Sequence, residues 1–117
     1  MGDEYVEKAL NQSTAFAQPL QKMVTEQAWG DIWGREALAK RDRSLINLAM
    51  IAVLNRPNEF KGHVRGALKN GVTVEEIREV LLQVSAYAGF PAAIDSFRLA
   101  AEVLESEGID LNSISPE

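Results

Sequence analysis

The chain has no cysteine. Disulfide staples, thiolate nucleophiles and zinc–thiolate centres are therefore excluded. It has one histidine, His63, so a multi-histidine metal site within one subunit is excluded as well. No stretch approaches the roughly 20 apolar residues of a membrane-spanning helix, and no run alternates apolar and polar residues as a half-buried strand does. Basic charge is in short supply: 12 Lys and Arg against 17 Asp and Glu leave a formal charge of −5. A phosphate backbone needs a basic face, which argues against nucleic acid as the main partner. A small anion needs only a local cationic pocket. The opening residues MGDEYVEKAL are acidic and lack the apolar core of a secretion signal, so the cytoplasm is the expected location.

What is present is a chain of 117 residues, 46% apolar and 25% charged with the signs mixed. That describes one globular domain with a modest core. The apolar spacing is helical throughout and predicts an all-α bundle of five to six helices. A helical extension over residues 1–17, with its helix from Asp3 to Ala17, precedes a second helix over Pro19–Trp33. Leu45 to Leu54 is apolar at nine of ten positions, Asn47 being the exception. A helix that is apolar all round is covered on more than one side, which in a chain this small points to a central helix or to one covered by a second subunit. Pro57 opens the next helix, and Asn70-Gly71 closes it with a left-handed glycine. TVEE (Thr73–Glu76) is a capping box. Gly89 and Pro91 mark the corner before the last long helix, and residues 108–117 read as a loose tail.

Several residues are candidates for chemistry. Glu59 and His63 lie four apart, so on a helix the carboxylate sits one turn from the imidazole, where it can orient the ring and raise its pKa. The same spacing fits a satisfied core histidine. Arg35, Lys40, Arg41, Arg43 and Arg56 cluster around the apolar helix. Arg41 and Arg43 near its start oppose the macrodipole, which suits either an anion site or a solvated charged face. Tyr87 and Ser85 are the hydroxyl-bearing residues of QVSAYAGFPAA, with Tyr87 open to a ligand role or to ring burial. Trp29 and Trp33 read as core or interface anchors.

The segments AWGDIW, RSLINLAMIAVLNRPNEFKGHVRGALKNG, VTVEEIREVLLQVSAYAGFPAA and FRLAAEVL occur in that order. Across about two-thirds of the chain they resemble the carboxymuconolactone decarboxylase family, within the alkylhydroperoxidase D-like superfamily. The thiol-dependent members of that superfamily carry Cys-x-x-Cys-x-x-x-His and an upstream glutamate. Aligned on His63, the cysteine positions fall on Arg56 and Glu59 and the glutamate on Ser44, so thiol peroxidase chemistry is closed to this chain. The resemblance implies a helical subunit in a homo-oligomer, a hexamer arranged as a trimer of dimers. It also implies decarboxylation, without a cofactor, of a small anionic lactone: 4-carboxymuconolactone to 3-oxoadipate enol-lactone and CO2. In that reading His63 is the general acid, Glu59 orients it, Arg43 or Arg56 clamps carboxylates, and Tyr87 and Ser85 are candidate donors to the developing oxyanion. The alternatives are a decarboxylase for another small carboxylated lactone or acid, and an oligomeric relative without activity.

Overall fold

The computed structural model describes residues 14–117. Among them are five α-helices and no strand. Helix α1 (Gln18–Met23) runs directly into a π-helical stretch (Val24–Ile32). Then come α2 (Lys40–Leu54), α3 (Pro57–Lys69), α4 (Val74–Ala88), α5 (Phe90–Ser106) and a 3-10 turn (Leu111–Ser113). The helix expected from Asp3 to Ala17 lies outside the described residues except at its end, where residues 15–17 form a turn.

The helix boundaries follow local chemistry. Proline stands in the first turn of α1, α3 and α5, where its missing N–H has no intrahelical acceptor to lose. Asn55 ends α2 in the left-handed region at φ 56°, and Gly71 follows α3 at φ 90°. Gly89 joins α4 to α5 at φ 103° and ψ 156°, a conformation that essentially only glycine occupies. The capping box forms as expected. Glu76 N–H donates to Thr73 Oγ1 at 3.1 Å, and Thr73 N–H donates back to Glu76 Oε1 at 2.9 Å. Thr73→Ala should cost about 1 kcal/mol of stability in urea unfolding at neutral pH; an unchanged midpoint would show that the cap contributes nothing.

Helices α2 to α5 form a four-membered ring in the order α2, α3, α5, α4. An Arg41–Glu76 ion pair ties the N-terminal turns of α2 and α4, so those two run parallel. Lys61–Glu102 at 2.7 Å and Arg65–Glu107 at 3.9 Å line up α3 with α5 in the same sense. The sequential pairs α2/α3 and α4/α5 are antiparallel hairpins. Consecutive helices α3 and α4 therefore stand across a diagonal from each other. The centre is filled by Leu48, Phe60, Val64, Ile77, Leu81 and Val103, all essentially inaccessible to solvent. With Ser44, Ala52, Ala67, Val84, Ser96 and Ala100, also buried, they recur at three- and four-residue spacing on each helix, which gives each one a stripe facing the middle.

Two features differ from the sequence reading. Helix α2 is not a central helix, one of the two expectations for it: it buries only Ser44, Leu48 and Ala52 within the subunit, and Met50 and Val53 remain 50% and 51% exposed. In a ring of four helices each one turns a single stripe inward, so the other apolar side chains of α2 face out. The segment 108–117, expected to be loose, carries the 3-10 turn and packs Ile109 and Leu111 against the core. Arg78 Nη1 also donates to the main-chain carbonyl of Ser115.

Candidate active site

His63 sits in the second turn of α3. Phe60, Val64 and Ala67 of the same helix point into the core, and His63 lies on the flank beside them, partly buried. Asn70 identifies what that flank faces. Seven residues on, it shares the face of His63, and its Nδ2 donates to Ser44 Oγ of α2 at 3.0 Å. The imidazole therefore belongs to the seam between α2 and α3. Removing the ring from water disfavours its charged form, and its pKa is pushed down from 6.5 to about 4. At neutral pH the ring is neutral.

This reverses the expectation that Glu59 raises the imidazole pKa. Glu59 is exposed, and among the described residues no hydrogen bond or ion pair joins it to His63. A carboxylate in open solvent one turn away interacts weakly, while burial acts on the ring directly. The depressed pKa has a consequence for stability. Between pH 6.5 and 4 the unfolded chain binds a proton at this position that the folded chain does not. The stabilisation is complete above pH 6.5 and is lost as pH falls through this window. Allowing for the ring's partial exposure, the loss is about 1–2 kcal/mol. His63→Gln should therefore unfold with a shallower pH dependence between pH 7 and 4 than the parent chain. Parallel curves would show that the ring does not titrate this way.

The arginines separate by their partners. Arg41 is engaged by Glu76 and Asp42, so part of the cationic cluster at the start of α2 is answered inside the protein. Arg56, at the other end of α2, turns its guanidinium back onto the carbonyls of Leu54 and Asn55 at 3.3 and 3.5 Å. There it satisfies acceptors that the helix end leaves open. Arg43 is different. Nη2 makes only a long contact of 3.5 Å with the Arg35 carbonyl, and its Nε–H is buried with no acceptor. Arg43 and Arg56 are 13 residues apart, about 20 Å along α2, so the two cannot hold one small molecule within a subunit. The Ser44–Asn70 bond sets Arg43 level with the end of α3, and His63 is about 10 Å back along that helix.

Ser85 and Tyr87 are not drawn to this seam. Ser85 Oγ donates to the Leu82 carbonyl of its own helix at 2.6 Å. Tyr87 is 85% exposed and lines an open apolar groove between α2 and α4, with Leu45, Ala49, Val53 and Val84. Helix α4 lies diagonally across from α3, so neither side chain meets His63 within one subunit. Trp33 is buried and Trp29 partly so, with ring centroids 5.6 Å apart and tilted by 32°, in keeping with an anchoring role. Sequence reasoning passed over Asn70 as a side chain; its seven-residue offset from His63 is the signal that marks it.

The described residues form an all-helical subunit, a ring of four helices with a lone imidazole on one seam, of the alkylhydroperoxidase D-like class to which the matching family belongs. The family model described as carboxymuconolactone decarboxylase family matches residues 18–102, and the chain belongs to that family. It is 36% identical over 109 residues to the 4-carboxymuconolactone decarboxylase of Acinetobacter baylyi, covering 93% of this chain and 81% of that one. It is 44% identical over 96 residues to the nitrosuccinic acid decarboxylase of Metarhizium robertsii, covering 82% and 67% respectively. Both relatives are decarboxylases. No described helix is long and apolar enough to cross a membrane.

Proposed function

We propose that the protein decarboxylates 4-carboxymuconolactone to 3-oxoadipate enol-lactone and CO2 at the α2–α3 seam. The observation that carries the reading is one partly buried, uncharged imidazole and, about 10 Å along the same seam, a guanidinium whose buried Nε–H has no acceptor. That combination suits an anionic substrate: the guanidinium takes a carboxylate side-on, and the imidazole acquires its proton beside the bound charge.

The chemistry needs little more. The carboxylate leaves as CO2, and the electron pair of the broken C–C bond spreads through the ring double bond to the lactone carbonyl oxygen. The substrate is its own electron sink. A proton must then reach the far ring carbon. His63 delivers it once the substrate's carboxylates have raised its pKa by their charge and the ring has taken a proton from solvent; it is left neutral, ready to be protonated when the next substrate binds. Desolvation at the seam favours loss of the departing carboxylate as a neutral molecule. In this scheme Glu59 contributes only a distant field from the exposed side of α3.

A second reading has its own support. The similarity to a nitrosuccinic acid decarboxylase is the higher of the two identities. Nitrosuccinate is also a small dianion, and its nitro group can accept the electron pair left by CO2 as a nitronate. Both substrates ask the protein for the same things: a cationic clamp and a proton. The deciding experiment adds each compound to purified protein without added cofactor and follows CO2 release. Turnover of the lactone well above nitrosuccinate supports the first reading, and the reverse order replaces it. Release from neither would leave a helical relative without this activity.

We further propose that copies of the chain cover the outward apolar face of α2 and assemble as a hexamer built from dimers. Ile46, Met50, Val53 and Leu54 on α2 are all exposed in the isolated subunit, the outward apolar stripe expected of a helix that a second copy covers. Met50→Asp combined with Val53→Asp should reduce the mass seen by sedimentation to that of smaller species. An unchanged mass would place the interface elsewhere.

A further inference from the structure

A second hollow lies on the other side of the bundle from His63, between α4 and α5. Its volume is about 440 Å³, within the range of small-molecule sites. Ile77, Leu81, Phe97 and Leu104 make its apolar walls, and Ala100 and Ala101 are the small side chains that leave the space open. Tail residues Leu111 to Pro116 form its roof. Arg78 of α4 is the one charged group in this lining. Among the described residues no carboxylate lies within ion-pairing distance of it. Its Nε–H is buried with no acceptor, and Nη1 is held only by the main-chain carbonyl of Ser115. A guanidinium with its Nε–H buried beside an apolar hollow, and no counter-ion, is half of a side-on carboxylate pair.

We propose that this hollow binds a small amphipathic monocarboxylate, its head group on Arg78 Nε and Nη and its apolar body between α4 and α5 beneath the tail. The carboxylate takes the unpaired Nε–H together with the neighbouring Nη2, the two donors on one side of the guanidinium, and leaves Nη1 on the Ser115 carbonyl, so the 111–116 roof stays in place. Charge complementarity selects an acid over an alcohol, and the apolar walls select an alkyl or aryl body over a second charge, which would be stranded without a partner. The site stands apart from the α2–α3 seam, because α3 and α4 face each other across the diagonal of the ring.

Octanoate is a suitable probe, titrated calorimetrically into the full chain at neutral pH, with 1-octanol as the uncharged control. Saturable octanoate binding is expected, at least about tenfold tighter than that of octanol. Arg78→Gln should weaken it by a similar factor, with Arg78→Lys in between because an ammonium lacks the planar fork. Ala101→Leu, which fills the hollow, should abolish it, and Arg43→Met should leave it unchanged. The proposal is overturned if octanoate does not saturate the parent chain, if octanol binds equally well, or if Arg43→Met rather than Arg78→Gln removes the binding. The octanoate–octanol comparison is made on the parent chain and decides the matter even if a variant fails to fold.

Discussion

His63→Gln is expected to lower kcat for lactone decarboxylation by about 10²–10⁴-fold while leaving a folded chain, the usual range for loss of a positioned proton donor. The substitution is close in size, and His63 lies on the flank of α3, not among the side chains that fill the centre. Its packing loss is therefore small, and circular dichroism should confirm that the fold is retained. What disappears is a group that can carry a proton. The pH dependence gives a second readout. In the free protein the imidazole pKa is depressed to about 4, whereas bound carboxylates raise it. The limb of kcat that reports protonated His63 should therefore lie at higher pH than the matching limb of kcat/KM, which reports the free protein. Wild-type turnover by folded His63→Gln removes the general acid from the mechanism.

The second large effect separates two arginines that look equivalent on paper. Arg43→Met should lower kcat/KM by about 10–100-fold, the worth of a hydrogen-bonded charge pair. Arg56→Met should leave kinetics nearly unchanged and cost about 0.5–1 kcal/mol of stability, because it removes a cation from the carbonyl end of α2. The basis is the difference in setting: Arg56 is exposed and lays Nη1 on the Leu54 and Asn55 carbonyls, whereas Arg43 has a buried Nε–H with no acceptor. Steady-state kinetics and urea unfolding on the same two proteins check both halves. Lost activity in Arg56→Met with a normal Arg43→Met would invert the assignment and move the clamp to the far end of α2.

The fold was legible because its signals are local. Pro57, the Thr73–Glu76 box, Asn70-Gly71 and Gly89 each act within one or two turns, and each marks a helix end in the structure. The candidate site was legible only in part. A single histidine on a helix with no thiol nearby directs attention to His63 whatever the tertiary arrangement. The i, i+4 spacing of Glu59 suggested a partner, but spacing does not report exposure, and Glu59 lies in solvent. Ser85 and Tyr87 follow α3 closely in the chain, yet α4 is packed diagonally from it, and sequence proximity says nothing about that. The looseness expected of the tail missed Ile109 and Leu111, whose partners lie on helices far earlier in the chain.

By itself, then, the sequence determined an all-helical subunit, the exclusion of sulfur chemistry, the helix ends and the identity of the one imidazole. These depend on composition and on interactions between residues a few positions apart. The tertiary structure alone decided that the imidazole is uncharged, that Arg43 has a buried donor without an acceptor while Arg41 and Arg56 do not, and that Ile46, Met50, Val53 and Leu54 of α2 face outward. Each of these depends on which helices become neighbours in the ring. Burial, charge state and free hydrogen-bonding capacity belong to that three-dimensional arrangement, and no stretch of chain encodes them separately.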